Sequence, residues 1–398
     1  MKNIVSEKMY ALGSKRSEIR ELFEYGKKRI AEVGAENVYD FSLGNPSVPA
    51  PDCVKEALTD LICNGDPVAL HGYTSAQGDQ GVRETCADYI IKTHGTECSA
   101  NDFYMTCGAA ASLTISLSAL AQEGDETIVL APYFPEYQVF IAQAGMNCVE
   151  VKCNEEDFQV DFDAFEAALS EHTKAVIINS PNNPSGAVLS ENTIKKLASI
   201  LENAQKKYGR NIFIIADEPY RELVYDDISV PFIPNYYKNT LVCYSFSKSL
   251  SLPGERIGYI FVPPASDCHD EVYFAVCGAG RSLGFVCAPS LFQKMVPYCI
   301  GKTSDISIYK KNRDLLCNAL TEYGYKVVRP DGAFYLFVKT LEEDSRAFCE
   351  KAKAHDLLLV ASDSFGMPGY CRISYCVSTD MIERALPAFK ALAEEYNK

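Results

Sequence analysis

The residues of this 398-residue chain able to do chemistry fall in short polar clusters, each placed just after a short apolar run. The densest is Tyr244-Ser245-Phe246-Ser247-Lys248, followed by Pro253-Gly254-Glu255-Arg256-Ile257-Gly258. Two hydroxyls and an arginine suit a phosphate dianion through charge-assisted hydrogen bonds. A lysine in a partly dry, cationic setting loses its proton more easily and becomes a nucleophile. Asp217 closes another apolar run, in Asp217-Glu218-Pro219-Tyr220. A carboxylate there is costly unless a cation, metal or ligand pairs with it, and a helix N-cap is an equally good reading. Cys107-Gly108-Ala109-Ala110-Ala111-Ser112-Leu113 resembles a strand-to-helix turn whose free N–H groups can hold an anion, although alone it reads better as a tight turn. Aromatics in Ala131-Pro132-Tyr133-Phe134-Pro135-Glu136-Tyr137 can stack on a flat ring, though such residues are more often core. Ser180-Pro181-Asn182-Asn183-Pro184-Ser185-Gly186 is a loop of turn formers, and the proline after Asn183 rules out glycosylation there.

Each piece is weak alone. Together they ask for a ligand with a phosphate, a flat ring, a group that welcomes a carboxylate, and a carbonyl for lysine to attack. Pyridoxal phosphate has all four: its pyridinium nitrogen wants an acidic partner and its aldehyde forms a Schiff base with lysine.

The elements that must position these clusters are read from the apolar runs at Phe103–Thr106, 127–130, 175–179, 212–216, 241–246 and 257–262. Most are continuously apolar and β-branched, as in a sheet covered on both faces, and segments such as 192–208 between them carry helical periodicity. Strand–helix alternation predicts an α/β domain with a mostly parallel sheet, whose ligands bind outside the carboxyl ends of the strands. The end of the chain differs. It predicts helices over 306–323, 344–355 and 380–396, and strands at 325–329, 333–338 and around 371–375, with Pro330-Asp331-Gly332 as a turn. This is a smaller α+β domain, joined by an amphipathic helix over 17–33 with Ile19, Leu22, Phe23 and Ile30 as its apolar stripe. The Pro/Gly-rich stretch 44–51 is the crossing between domains.

Composition limits the alternatives. Thirty-eight basic residues against 53 acidic leave a net charge of −15, which argues against gripping nucleic acid or anionic membrane through bulk charge. The 16 cysteines show no Cys-x-x-Cys pair and no zinc spacing, so no metal site is expected. The first residues carry no apolar signal region, and no apolar run reaches the roughly 18 residues of a membrane span. The expectation is a cytoplasmic protein with free, mostly buried thiols.

The order and spacing of the clusters resemble the pyridoxal-phosphate-dependent class I/II aminotransferases of fold type I, the aspartate aminotransferase-like group. The resemblance covers nearly the whole chain: Ser17-x-Ile19-Arg20, Gly44-Asn45-Pro46, Tyr73 in Gly72-Tyr73-Thr74-Ser75-Ala76-Gln77-Gly78, Asn183-Pro184-Ser185-Gly186, Asp217-x-x-Tyr220, Ser245-x-Ser247-Lys248 with Arg256-Ile257-Gly258, and Cys371-Arg372-Ile373-Ser374. It implies a large α/β domain over 46–290 with a mostly parallel seven-stranded sheet between helices, and a small α+β domain from 1–45 with 291–398. It implies that Lys248 holds the cofactor and carries the substrate proton, that Asp217 pairs with the pyridinium nitrogen, and that Tyr220 and Asn183 bond the phenolic oxygen. Phe134 would stack on the ring. Gly108, Ala109 and Ala110 backbone groups, Ser245, Ser247 and Arg256 would take the phosphate, with Tyr73 reaching it from the partner of a homodimer with shared active sites. Arg372, with Gly44 and Asn183, would bind the substrate α-carboxylate. Many relatives carry a hydroxyl residue in the phosphate turn, where this chain has only Ala109 and Ala110. Arg281 lies about two positions from the place of a second arginine that, in aspartate-specific relatives, reads the distal carboxylate from the partner subunit.

The implied reaction moves an amino group from an L-amino acid (aspartate-like, alanine or aromatic) to a 2-oxo acid, with 2-oxoglutarate as the default. A carbon–sulfur β-lyase of the cystathionine type uses the same lysine, aspartate and arginine and is the alternative reading. A cofactor-sensing regulator is the lesser one, because it needs a basic helix-turn-helix domain and fewer than about 45 residues precede the first family loop.

Overall fold

The computed structural model describes residues 4–14 and 18–396. Ser17, at the head of the expected N-terminal helix and of the Ser17-x-Ile19-Arg20 motif, lies outside them. The chain divides into two compact units. The larger is Pro46–Ile308 with Pro330–Ala333; the smaller takes the described residues up to Asn45, Tyr309–Arg329, and the described residues from Phe334 on.

In the larger unit seven strands form one sheet: β1 Phe103–Thr106, β2 Glu126–Ala131, β3 Asn147–Lys152, β4 Thr173–Asn179, β5 Phe213–Asp217, β6 Thr240–Ser245 and β7 Gly258–Phe261. Their order is β1-β7-β6-β5-β4-β2-β3, parallel throughout except that β7 runs antiparallel to both neighbours. The central strands are buried on both faces. Val176 and Ile178 of β4 and Ile214 and Ala216 of β5 enter one core, while Ala175, Ile177, Phe213 and Ile215 enter the other, as the two-residue repeat of a strand requires. Phe246 belongs to a helical turn and not to β6, so the apolar run 241–246 overshoots the strand by one residue. β3 has no counterpart among the apolar runs. It is an edge strand with an exposed Glu150 and Lys152, and an edge is kept soluble by such charges.

The helix Glu191–Tyr208, which connects β4 to β5, shows why these elements form where they do. Ser190 caps it by accepting a hydrogen bond from Thr193 N at 3.1 Å, and Gly209 ends it in the left-handed region at φ 65°. Ile194, Leu197, Ala198, Leu201 and Ala204 form its buried stripe, at helical spacing.

The larger unit extends past residue 290, the boundary expected from the sequence. Helix Ser290–Cys299 puts Met295, Val296 and Cys299 into the same core as Val54 and Ala57 of helix Asp52–Asn64. The turn 330–333 also belongs here. Asp331 and Gly332 donate backbone bonds to Gly186 O at 3.0 and 2.9 Å, and Asp331 Oδ2 accepts from Val188 N at 3.1 Å.

In the smaller unit β8 Tyr335–Lys339, β9 Val360–Ala361 and β10 Tyr370–Ser374 form an antiparallel sheet in the order β9-β10-β8, with a short parallel pairing of Tyr39–Asp40 on Leu357–Leu358. Helices Glu18–Val33, Ser307–Glu322, Ser345–Ala354 and Thr379–Tyr396 occupy the expected places. The strand expected at 325–329 is reduced to one bridge, Val327 to Val338, before Pro330, which has no N–H for a ladder, carries the chain away. Eight of the sixteen cysteines are buried, six half-buried and two exposed, so burial accounts for half of them and not for most. No helix of the described residues is long and apolar enough to cross a membrane.

Candidate active site

The carboxyl end of β6 runs directly into the four-residue helix Phe246–Ser249, which carries Lys248. Ser245 caps this turn: its Oγ accepts from Ser247 N at 3.1 Å and lies 2.6 Å from Ser247 Oγ. Arg256 approaches from the loop before β7, where its backbone takes φ 53°. Its Nη1 donates to Pro253 O at 2.9 Å and to Ser247 Oγ at 3.4 Å. Opposite stands Gly108, with φ 85°, at the head of helix Ala109–Leu120. A Cβ on Gly108 would lie 2.7 Å from Arg256 Nη2. One on Gly258 would lie 2.2 Å from Tyr244 O and 3.2 Å from the Cα atoms of Gly108 and Ser245. Glycine at these two positions is what lets three backbone segments close together. The result is a cup of two hydroxyls, one guanidinium and the opening N–H groups of a helix, led by Ala109 and Ala110, a set of donors with the chemistry to hold an anion.

Asp217 ends β5, in register with Cys243 of β6 on one side and Asn179 of β4 on the other. Its Oδ2 accepts a 2.5 Å hydrogen bond from the Tyr137 hydroxyl. Its Oδ1 is buried and has no hydrogen-bond partner. Burial pushes the Asp217 carboxyl up to about 7; the bond from Tyr137 pulls it down and the Glu218 charge pushes it up again. Burial also drives the Tyr137 phenol well above its ordinary value, so it remains a donor. Glu218 itself is held by buried Arg221, whose Nε lies 2.6 Å from Glu218 Oε2. That guanidinium is therefore committed away from Asp217.

The loop after β4 is hung on Asp217's backbone. Asn179 Nδ2 donates to Asp217 O at 2.8 Å, and Asn179 Oδ1 accepts from Asn183 N at 2.7 Å. Asn183 and Tyr220 are both buried. Phe134 is half-buried and meets the Tyr137 ring edge-on at 5.8 Å. Tyr133 is instead buried in the core and bonded to Gln138 Nε2 at 2.5 Å, which leaves Phe134 as the more accessible aromatic of the pair.

In the smaller unit Arg372 sits on β10, 2% exposed. Its Nη2 donates to Ser42 O at 2.6 Å, and its guanidinium lies over the rings of Tyr335 at 4.7 Å and Phe365 at 5.2 Å. Gly44 belongs to the same cluster, since a Cβ there would fall 1.9 Å from the Tyr335 hydroxyl. Tyr73 is 94% exposed in the single chain, and Arg281 is exposed in the last turn of helix His269–Ser282.

Thirteen of the singled-out residues thus fall within the larger unit, and all of these but Tyr73 and Arg281 lie at or just beyond the carboxyl ends of its sheet or against them. Two residues of the site were not legible as such in the sequence. Tyr137 lies in the first turn of helix Glu136–Gln143 between Glu136 and Gln138, and only its place three residues after Phe134 hinted at a shared face. Asn179 is a polar residue ending a buried strand, the signal that drew attention to Asp217.

These residues fit pyridoxal phosphate. The cup offers charge-assisted donors for its phosphate, the free Oδ1 of Asp217 awaits a cationic N–H, Phe134 offers a flat face, and Lys248 a primary amine.

Comparison with known proteins agrees. The sequence profile of aminotransferase class I and II matches residues 36–389. A probable aspartate/prephenate aminotransferase of Aquifex aeolicus is 31% identical over 383 residues, covering 90% of this chain and 92% of that protein. An aromatic-amino-acid aminotransferase of Thermococcus litoralis is 27% identical, covering 95% and 96%. The crystal structure of an aminotransferase from Eubacterium rectale superimposes with a TM-score of 0.98 at 61% identity, covering both chains completely. The chain belongs to the class I and II aminotransferase family. It is a pyridoxal-phosphate-dependent transaminase of fold type I.

Proposed function

We propose that this enzyme moves the amino group of an L-amino acid, aspartate first among the donors, to a 2-oxo acid, with 2-oxoglutarate as acceptor, as a homodimer in a reducing cytosol. The observation that carries the site assignment is Asp217, a buried carboxyl at a strand end with one oxygen bonded to Tyr137 and the other left without a partner. Aspartate heads the donors because relatives from Aquifex aeolicus and Thermotoga maritima bear it in their names.

Bound in this site, pyridoxal phosphate supplies an aldehyde for covalent attachment and a ring that draws electrons from the substrate's α-carbon. The chain's own residues do the rest. Lys248 Nζ would hold the covalent link and, once a substrate amine displaces it, would take the α-proton and deliver it to the former aldehyde carbon, two bonds away across the nitrogen. Asp217 keeps the ring nitrogen protonated, and Tyr137 keeps Asp217 ionised by donating to its other oxygen. Ser245, Ser247, Arg256 and the N–H groups from Gly108 to Ala110 anchor the phosphate, with Tyr73 lent by the partner subunit. Phe134 covers one ring face, and Tyr220 and Asn183 hydrogen-bond the ring oxygen. Arg372 takes the α-carboxylate in a two-pronged bond, and Gly44 leaves it room. Arg281 is the candidate reader of a distal carboxylate.

The test is the near-ultraviolet and visible spectrum of the purified protein, with single L-amino acids and then 2-oxoglutarate added. A cofactor band that changes with aspartate and returns with the oxo acid supports the proposal. Pyruvate and ammonia from cystathionine with no oxo acid present would replace it with the lyase reaction. Lys248→Ala should lose at least the 10²–10⁴-fold that a positioned proton carrier supplies, and near-normal turnover there would sink the site assignment. Unchanged aspartate and 2-oxoglutarate kinetics in Arg281→Ala would remove Arg281.

A further inference from the structure

Behind the lysine turn lies a buried polar chain to which the transfer chemistry assigns no part. Glu222 Oε1 accepts a hydrogen bond from the Tyr244 hydroxyl at 3.0 Å, and that hydroxyl lies 3.0 Å from Ser249 Oγ. Ser249 is the residue after Lys248 and closes the helix Phe246–Ser249; its side chain is buried, and its carbonyl is pinned by Ser304 N at 2.8 Å. Tyr244 cannot swing away, because its ring stacks on Tyr259 at 5.0 Å and meets Phe246 edge-on at 5.1 Å. Glu222 itself is half-buried, but its Oε2 is buried and has no hydrogen-bond partner. The adjacent cation, Arg221, is already paired with Glu218. The other titratable groups facing Glu222 are Glu218, whose charge pushes it up despite its pairing with Arg221, and three phenols: Tyr244 from β6, Tyr259 from β7 and Tyr89 from helix Gln80–His94.

A phenol has one proton to give. While Glu222 is ionised, Tyr244 donates to it and Ser249 donates to Tyr244. Once Glu222 is protonated it can donate to Tyr244, and Tyr244 then donates to Ser249. One proton on Glu222 reverses the bonds along the chain as far as the residue beside the lysine. Burial pushes the Glu222 carboxyl up to about 7, against the pull of Arg221 and Tyr244, which puts the reversal in the neutral range.

We propose that Glu222 is a positioning residue for Lys248, acting through Tyr244 and Ser249 as a hydrogen-bond relay whose direction is set by one proton and which holds the lysine-bearing turn. The inference rests on Lys248 being the lysine that holds the cofactor.

The experiment uses the wild-type holoenzyme with Glu222→Gln and Tyr244→Phe. For each, the visible cofactor band and the donor half-reaction are followed across the neutral pH range, with thermal melting as the fold control. Glu222→Gln fixes the relay in an uncharged state, and Tyr244→Phe cuts it while leaving the carboxyl in place. The expected result is an ionisation in the wild type, near neutrality, that both variants lose from both readouts. A purely structural role predicts lower melting with the pH midpoint unchanged, and that outcome overturns the proposal. So does a wild type with no neutral ionisation. If Glu222→Gln does not fold, Tyr244→Phe decides alone. Absence of any cofactor band in the wild type would overturn the lysine assignment and the relay together. A normal wild-type band with unaltered variants would overturn the relay only.

Discussion

Asp217→Asn should stabilise the cofactor-free enzyme at neutral pH while weakening its hold on the cofactor. Without a ligand, the Asp217 carboxyl is raised from 3.8 to about 7, chiefly by burial. Between those values the folded protein holds a proton that the unfolded chain has released. Stability therefore falls as pH rises through this window, at 1.36 kcal/mol per unit, or roughly 4 kcal/mol in all. Below pH 3.8 both states are protonated and above about 7 neither is, so the slope vanishes on each side. Glu222, raised from 4.5 to about 7, contributes a slope of the same sign, so the informative quantity is the wild type minus the variant. Urea denaturation of both apoproteins at a series of pH values measures it. The wild type should lose on the order of 4 kcal/mol more than Asp217→Asn on going from pH 4 to pH 7. Pyridoxal phosphate titration then reads the other half: replacing a charged hydrogen bond by a neutral one costs about 1.5–3 kcal/mol, or about 10- to 150-fold in Kd. Parallel stability curves for the two proteins would refute the claim that Asp217 is buried without a counter-charge.

Three further outcomes are expected. Arg372→Lys should raise KM for every amino donor by about tenfold or more, because an ammonium cannot make the two-pronged bond or reproduce the guanidinium's contacts with the rings of Tyr335 and Phe365. Gly108→Ala, which places a Cβ against the Arg256 guanidinium at a φ of 85°, should weaken cofactor binding by about 1–3 kcal/mol in equilibrium dialysis, with little change in donor KM. Arg221→Met should cost about 3–5 kcal/mol in chemical denaturation by stranding buried Glu218, and adding Glu218→Gln should recover much of that loss.

How far the sequence could be read depended on how local each signal was. Strands buried on both faces announce themselves as continuous apolar runs, so β4, β5 and β6 were legible, and the polar residues that end them pointed to Asp217 and Lys248. β3 was not, because an edge strand alternates and carries charge. The piece 325–329 has strand composition yet pairs at a single point, since pairing depends on where the following Pro330 must go. Arg372 stood out only through resemblance, as nothing in Cys371-Arg372-Ile373-Ser374 announces a cation that packs against Tyr335 and Phe365. Tyr137 required the fold, because its bond to Asp217 joins residues 80 positions apart.

The docking of residues 330–333 onto the larger unit bears on how the enzyme is made. The backbones of Gly186, Leu223 and Tyr225 pair with those of Asp331, Gly332 and Ala333, and Val188 N donates to the Asp331 side chain; Gly186 and Val188 lie on the loop that presents Asn183. A ribosome that has finished residue 308 has synthesised nearly all of the larger unit but not the strap that finishes this loop. Since domains ordinarily fold as units while the chain emerges, the cofactor pocket here should mature late, only after a stretch of the second unit has been translated. Neither unit is a contiguous segment that can be cut out and expressed alone. A chimera with a relative would have to exchange 330–333 together with 46–308 to keep the Asn183 loop intact.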